Sequence, residues 1–156
     1  MKEIIKKIEQ WAVDKELHNS DSFRQFAKHC EETGEYLTAY SEGKSTQACL
    51  MELGDNVVTL TLLARQNGLG LLDCAYIGKP TNCEVAILNG DIAEALCKKD
   101  PEAMNQAIGN YYEWIGKQAD LLNSTVEEAA TLAYNKIADR TGQKIDGVFT
   151  KTEDLK

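Results

Sequence analysis

Proline and histidine are nearly missing from this 156-residue chain, with two of each. The scarcity of proline permits long helices, because an internal proline removes a helix hydrogen bond and clashes with the preceding turn. The two histidines, His18 and His29, do not follow a glutamate by three residues. That excludes the Glu-x-x-His pattern of a di-iron carboxylate bundle. There is no CxxC and no Cys/His cluster of zinc spacing. The five cysteines are odd in number and well spread, which predicts free, mostly buried thiols in a reducing compartment. No stretch approaches the roughly 18 apolar residues of a membrane-spanning helix. The first ten residues alternate lysine and isoleucine and lack the apolar core of a signal peptide. The expected compartment is therefore the cytoplasm. An excess of basic charge is also lacking: 17 Lys and Arg stand against 25 Asp and Glu, for a net charge of −8. Such a surface argues against nucleic acid and anionic membrane as partners. It leaves a small nucleotide open, since a bound divalent cation inverts the local field.

Hydrophobic residues make up 43% of the chain, and its length suffices for one domain with a sizeable core. Apolar side chains recur at helical spacing along residues 2–17, at Ile4, Ile5, Ile8, Trp11, Ala12 and Leu17. After a break at His18 to Asp21, a second helix is predicted from about Ser22 to Glu42. Phe23, Phe26, Cys30, Leu37 and Tyr40 mark much of its apolar face, and Gly43 is its stop. Ser45 or Thr46 caps a third helix to about Asn67, with Leu50, Leu53, Val57, Leu60, Leu63 and Ala64 inward. The β-branched run Val57 to Thr61 leaves a local strand open, but the 3.6-residue period favours helix. Gly78 to Asn82 reads as a turn. Further helices are expected over about 83–98, from Pro101 to about Leu122 with Asp100 as cap, and from Ser124 or Thr125 to about Arg140. Residues 143–156 read as a polar, extended or mobile tail. The fold predicted for residues 1–142 is an all-α antiparallel bundle of about five to six helices in a single domain.

Two acids three residues apart on a helix share one face. The chain has three such pairs, Glu32/Glu35, Glu52/Asp55 and Asp91/Glu94. Pairs alone are not diagnostic in so acidic a chain, but the first two lie on adjacent predicted helices joined by a tight turn. In an antiparallel hairpin, Glu35 and Glu52 each stand about two turns from the connection, given a rise of roughly 1.5 Å per residue. Four carboxylates can then converge between two helices, the oxygen-rich donor set that hard divalent cations prefer. Asp91/Glu94 has no partner pair and reads as a solvated face.

The segments Cys30-Glu31-Glu32-Thr33-Gly34-Glu35-Tyr36-Leu37 and Met51-Glu52-Leu53-Gly54-Asp55-Asn56-Val57-Val58, sixteen residues apart between Glu35 and Glu52, resemble the ExxE…ExxD pattern of the MazG-like nucleotide pyrophosphohydrolases. These belong to the all-α NTP pyrophosphatases, with the dimeric dUTPases. The resemblance covers about residues 20–70. Ala133 to Arg140 also looks like the Asn-Lys segment that faces the triphosphate in that family. The resemblance implies Mg²⁺, with Mn²⁺ as substitute, on Glu32, Glu35, Glu52 and Asp55. It further implies hydrolysis of a nucleoside triphosphate, a dNTP or a non-canonical NTP, to the monophosphate and pyrophosphate. Glu31, Glu32 and Glu35 are then the catalytic candidates, and Asn135, Lys136, Arg140 and Trp11 the nucleotide-binding ones. Trp114, Tyr111 and Tyr112 are further aromatic candidates, and Lys151 a further basic one. Assembly as a homodimer or homotetramer is implied too. One departure from the compact members is the roughly 60 residues between the ExxD helix and the Asn-Lys segment. There Asn89 to Leu96 and Ile108-Gly109-Asn110 echo the first hairpin, so residues 83–122 could be a degenerate repeat of 22–67. The rival reading is a non-catalytic helical interaction module whose acids are solvated faces or subunit contacts.

Overall fold

The computed structural model describes residues 1–78, 85–145 and 148–152. Its helices are α1 (Lys2–Asp14), α2 (Ser22–Ser41), α3 (Thr46–Gln66), α4 (Val85–Lys98), α5 (Pro101–Leu121) and α6 (Val126–Ala138). The all-α bundle expected from the sequence is what folds. The expected turn over 79–82 and the first two residues of the fourth helix lie outside the described residues.

The helix boundaries have local causes. Asp21 accepts from the amides of Phe23 and Arg24 at 2.8 and 3.1 Å, Ser45 from Ala48 at 3.3 Å, Asp100 from Glu102 and Ala103 at 3.1 and 3.0 Å, and Thr125 from Glu128 at 3.1 Å. Each satisfies first-turn amides that have no partner within the helix. Gly43, with φ +66°, ends the α2 region and lets the chain reverse into α3.

α3 is the axis of the molecule. It packs along α2 on one side and α6 on another, and also meets α1 and α5. Fourteen of its 21 residues are buried, so it is covered nearly all round, as a central helix must be. Its β-branched stretch stays helical in part because the threonine hydroxyls bond back one turn, Thr59 to the Asp55 carbonyl at 3.0 Å and Thr61 to Val57 at 2.7 Å. The expected inward faces of α1 and α3 are the buried ones. The buried hydrophobics of all six helices form one cluster.

Four expectations need correction. The inward face of α2 is His29, Glu32, Thr33, Tyr36 and Ala39, whereas Phe23, Leu37 and Tyr40 are exposed and Phe26 and Cys30 half-buried. The reason is what α3 and α5 offer opposite α2, namely polar partners in Asn56, Thr59 and Tyr111. α6 stops at Ala138, so Arg140 follows the helix instead of closing its last turn. The tail is not merely extended: β1 (Gly142–Ile145) and β2 (Val148–Lys151) pair antiparallel, with Gly142 opposite Lys151 and Ile145 opposite Val148. Of the four described cysteines, all free, only Cys49 is buried; Cys30 and Cys74 are half-buried and Cys97 is exposed.

α4 and α5 form a second helical hairpin, α4 meeting α2 and α5 meeting α3. Residues 69–78 connect α3 to it through one 3₁₀ turn, Leu71–Asp73, with Leu71 buried. Beyond that turn the backbone lies on α5, held by Asn105 and Asn110, which accept from the amides of Ala75 and Ile77 at 2.9 and 3.2 Å.

Candidate metal centre

Glu32, Glu52 and Asp55 each place a carboxylate oxygen within 4.8 Å of the other two. Among the described residues this is the one group of three or more acids, cysteines or histidines so arranged. Glu32 comes from the first acidic pair and Glu52 and Asp55 from the second, so the two predicted motifs do meet across the α2–α3 interface. Glu32 and Asp55 are buried and Glu52 half-buried. Glu35 is outside the trio. It is exposed on the rim of α2 beside Glu32. Asp91 is half-buried and Glu94 exposed, and they belong to α4, where Asp91 and Asn110 line a separate cavity.

The backbone beneath the trio is clamped. The Asn56 side-chain amide donates to the carbonyls of both Glu32 and Glu52 at 3.0 Å, fastening the two ligand-bearing helices at the level of the site. Thr33 Oγ lies 2.8 Å from Asn56 Oδ1 and 2.7 Å from the Tyr111 hydroxyl, which carries the network into α5. His29 Nδ1 lies 2.9 Å from Thr59 Oγ. The Thr59 hydroxyl hydrogen goes to the Asp55 carbonyl, so the histidine donates through Nδ1. Burial lowers the His29 pKa to about 3, so the ring is neutral at ordinary pH. These contacts explain the polar inner face of α2, since buried polar groups must find partners.

Gly54 lets the third side of the site close. A Cβ there would stand 2.1 Å from the Ala129 carbonyl oxygen and 2.8 Å from Ala133 Cβ, so α6 rests directly on the α3 backbone. That approach delivers Lys136, whose ammonium is 2.6 Å from Asp55 Oδ2. Lys28, one turn before Glu32 on α2, is 2.7 Å from Glu32 Oε1 and 3.0 Å from Glu31 Oε2.

The electrostatics favour a positive guest. Burial raises the Asp55 pKa, and Glu32 and Glu52 raise it further against the opposing pull of Lys136. Burial and then the Glu32 charge raise that of Glu35. Burial would lower the Lys28 pKa, but its bonds to Glu32 and Glu31 outweigh it and the net shift is upward. Crowded carboxylates with raised pKa values gain from any added cation.

Next to the trio is a cavity of about 120 Å³. Its lining combines the charged Glu32, Asp55, Arg24, Lys28 and Arg140 with the apolar Trp11, Leu17, Val58, Leu62 and Ile137. Of the sequence-predicted binding residues, Trp11 and Arg140 line this cavity, whereas Asn135 is exposed and does not. Tyr111 and Trp114 pack in the core, 5.4 Å apart in an edge-to-face pair, and do not line it. Tyr112 is half-buried and does not line it either. Lys151 pairs with Gly142 through β2.

Sequence reasoning passed over Arg24, Lys28, Gly54 and Asn56. Two features left a trace: Arg24, Lys28 and Glu32 stand at successive i+4 positions, and an isolated glycine inside a strong helical pattern marks a close approach.

The class defined by fold and site is an all-α helical bundle with an inter-helix carboxylate cluster. The chain is 37% identical over 68 residues to an uncharacterised 18.2 kDa protein in the rep-hol intergenic region of Haemophilus phage HP1 (strain HP1c1). That stretch is 43% of this chain and 41% of the phage protein, so the chain spans well under half the length of the curated relative it matches. No family profile and no solved structure matches the chain. No helix among the described residues is long and apolar enough to cross a membrane.

Proposed function

We propose that this protein is a divalent-cation-dependent nucleoside-triphosphate pyrophosphohydrolase of the MazG-like kind. The observation that carries the reading is the convergence of Glu32, Glu52 and Asp55 beside a cavity lined by both charged and apolar side chains. The donor set is all carboxylate oxygen, which suits Mg²⁺ or Mn²⁺ over softer metals. When bound, such a cation supplies charge neutralisation at the phosphates and an acidified water.

The chain's own residues do the rest. Lys28, Arg24, Arg140 and Lys136 bind phosphate oxygens and hold the chain of phosphates against the trio. Trp11 and its apolar neighbours receive the base and exclude water around it. Water attacks the α-phosphorus, the bond from that phosphorus to the bridging oxygen breaks, and pyrophosphate leaves with the electron pair. Glu35, with its raised pKa and place at the rim, takes the proton from that water. Glu31 is the alternative acceptor, but it is already engaged by Lys28.

The test is pyrophosphate and nucleoside monophosphate release from a panel of canonical and modified dNTPs and NTPs with Mg²⁺. Glu52→Gln should cut the rate by more than the roughly 10–100-fold that loss of an outer-shell partner costs. No release, or equal release from both proteins, would favour the non-catalytic helical module. We also take the chain to assemble as a homodimer or homotetramer, since the exposed Phe23, Leu37 and Tyr40 form an apolar strip on α2.

A further inference from the structure

The two lysines at the trio stand on the very carboxylates that a cation would use. Lys28 bonds Glu32 and Lys136 bonds Asp55, at 2.7 and 2.6 Å. They reach the cluster from different helices, α2 and α6. Both keep a substantial exposed surface, 42% and 37%, so neither ammonium is packed in place. Lys28 also lines the adjacent cavity, as do Arg24 and Arg140, and Lys136 stands behind it on Asp55, which lines it too.

Formal charge couples the ligands this site can take. Three carboxylates against two ammoniums leave one net negative charge. A divalent cation turns this into one net positive charge, with two ammoniums crowded against it. An anion arriving alone in the cavity meets Arg24 and Arg140 but finds both ammoniums already committed to carboxylates. Cation and anion arriving together leave every carboxylate and every ammonium with an opposite charge to pair with. The two ligands should therefore favour each other, and the lysines are the groups that couple them.

We infer that Lys28 and Lys136 are transferable counter-ions. A divalent cation displaces them from Glu32 and Asp55, and they re-pair with the oxygens of a polyphosphate bound in the cavity. The site then binds cation and polyphosphate cooperatively and holds either one alone only weakly. This rests on the metal site proposed above and adds the exchange of ion-pair partners that couples the two ligands.

The measurement is calorimetric titration and Mn²⁺ spin resonance with two probes, Mn²⁺ alone and the preformed Mn²⁺–tripolyphosphate complex. The proteins are the full chain, Lys28→Met, Lys136→Met, the double variant and Glu52→Gln, with circular dichroism checking that each is folded. Removing the lysines should tighten Mn²⁺ alone by about tenfold and weaken the complex by at least as much, within the range usual for coupled sites. Lys28→Arg and Lys136→Arg should keep the coupling and its sign, and they serve as the test if a methionine variant does not fold. Lysines that merely support the site would weaken Mn²⁺ alone when removed, and that outcome overturns the proposal. So does an unchanged affinity. If Mn²⁺ binding depends on Glu52 but not on the lysines in this sense, only the counter-ion role falls. If Mn²⁺ fails to bind and Glu52→Gln changes nothing, the metal-site reading falls with it.

Discussion

Asn56 decides how far apart the two ligand-bearing helices sit at the metal centre. Its amide touches the carbonyls of Glu32 and Glu52, and its oxygen faces the Thr33 hydroxyl. Replacing it with leucine removes both donors and takes away one of the three partners of the buried Thr33 hydroxyl. Asn56→Leu should cost about 1–3 kcal/mol, a fall of several degrees in melting temperature, with metal affinity reduced about tenfold. Thermal unfolding and Mn²⁺ titration read the two separately. A stable Asn56→Leu with unchanged metal affinity would show that the clamp positions nothing. His29 makes a second residue-scale expectation. Its native pKa of about 3 lies below the unfolded value of 6.5, so the unfolded chain binds the extra proton between those limits. Its contribution is complete above pH 6.5 and is lost as pH falls toward 3, at about 1.4 kcal/mol per pH unit at most. Asp55 and Glu35 act in the opposite sense. Their raised values let the folded state hold protons more tightly, so their own contribution grows as pH falls through those values. The slope is therefore best read as the difference between the full chain and His29→Leu in urea denaturation from pH 4 to 7. A difference that does not change with pH would mean that the ring is not held neutral by burial.

At the scale of elements, Gly54 sets the gap between α3 and α6, and with it the reach of Lys136. Gly54→Ala forces the Ala129 carbonyl away and should cost about 1–3 kcal/mol by overpacking. It should also draw Lys136 away from Asp55, so the melting temperature and the polyphosphate affinity fall together. Serine at the same position should act likewise. Gly109 does similar packing work in α5, where a Cβ would meet the Ala75 carbonyl at 2.2 Å. There the next residue, Asn110, accepts from the Ile77 amide and lines the cavity that Asp91 and Glu94 also line. How much of this the sequence carries differs by element. The faces of α1 and α3 were readable because their inward residues are apolar, and period alone identifies them. α2 was not, because its inward residues His29, Glu32 and Thr33 are polar, and only their partners Thr59, Asn56 and Tyr111, 23 to 78 residues away in sequence, make them buried. The acidic pairs were legible through helical spacing. The lysines' pairing with them was legible only for Lys28, whose partner is on its own helix. The strand pair was missed because each strand is only four residues long and too short to show a period, although the sequence places Asp146-Gly147, a hairpin signal, between them.

For the molecule as a whole, the net charge of −8 and the crowded trio predict that divalent cations stabilise the fold. A ligand that binds only the native state adds about 2.7 kcal/mol at a hundred times its dissociation constant. Millimolar Mn²⁺ with tripolyphosphate should therefore raise the melting temperature of the full chain by several degrees, more than either does alone, and Asp55→Asn should abolish the rise. An equal rise in Asp55→Asn would point to general screening of acidic charge. The exposed strip on α2 belongs to this scale too. Sedimentation velocity should find a dimer or tetramer, and Leu37→Lys with Tyr40→Lys should shift it toward monomer. A monomer at all concentrations for the unaltered chain would remove the assembly proposal without touching the site.

The most direct measurement is anomalous diffraction from crystals grown or soaked with Mn²⁺ and tripolyphosphate. The expected result is a peak bonded to carboxylate oxygens of Glu32, Glu52 and Asp55, with the Lys28 and Lys136 ammoniums moved off those oxygens. A well-ordered crystal in millimolar Mn²⁺ and tripolyphosphate with no peak there, or with the three side chains turned apart, would contradict the assignment of a metal centre.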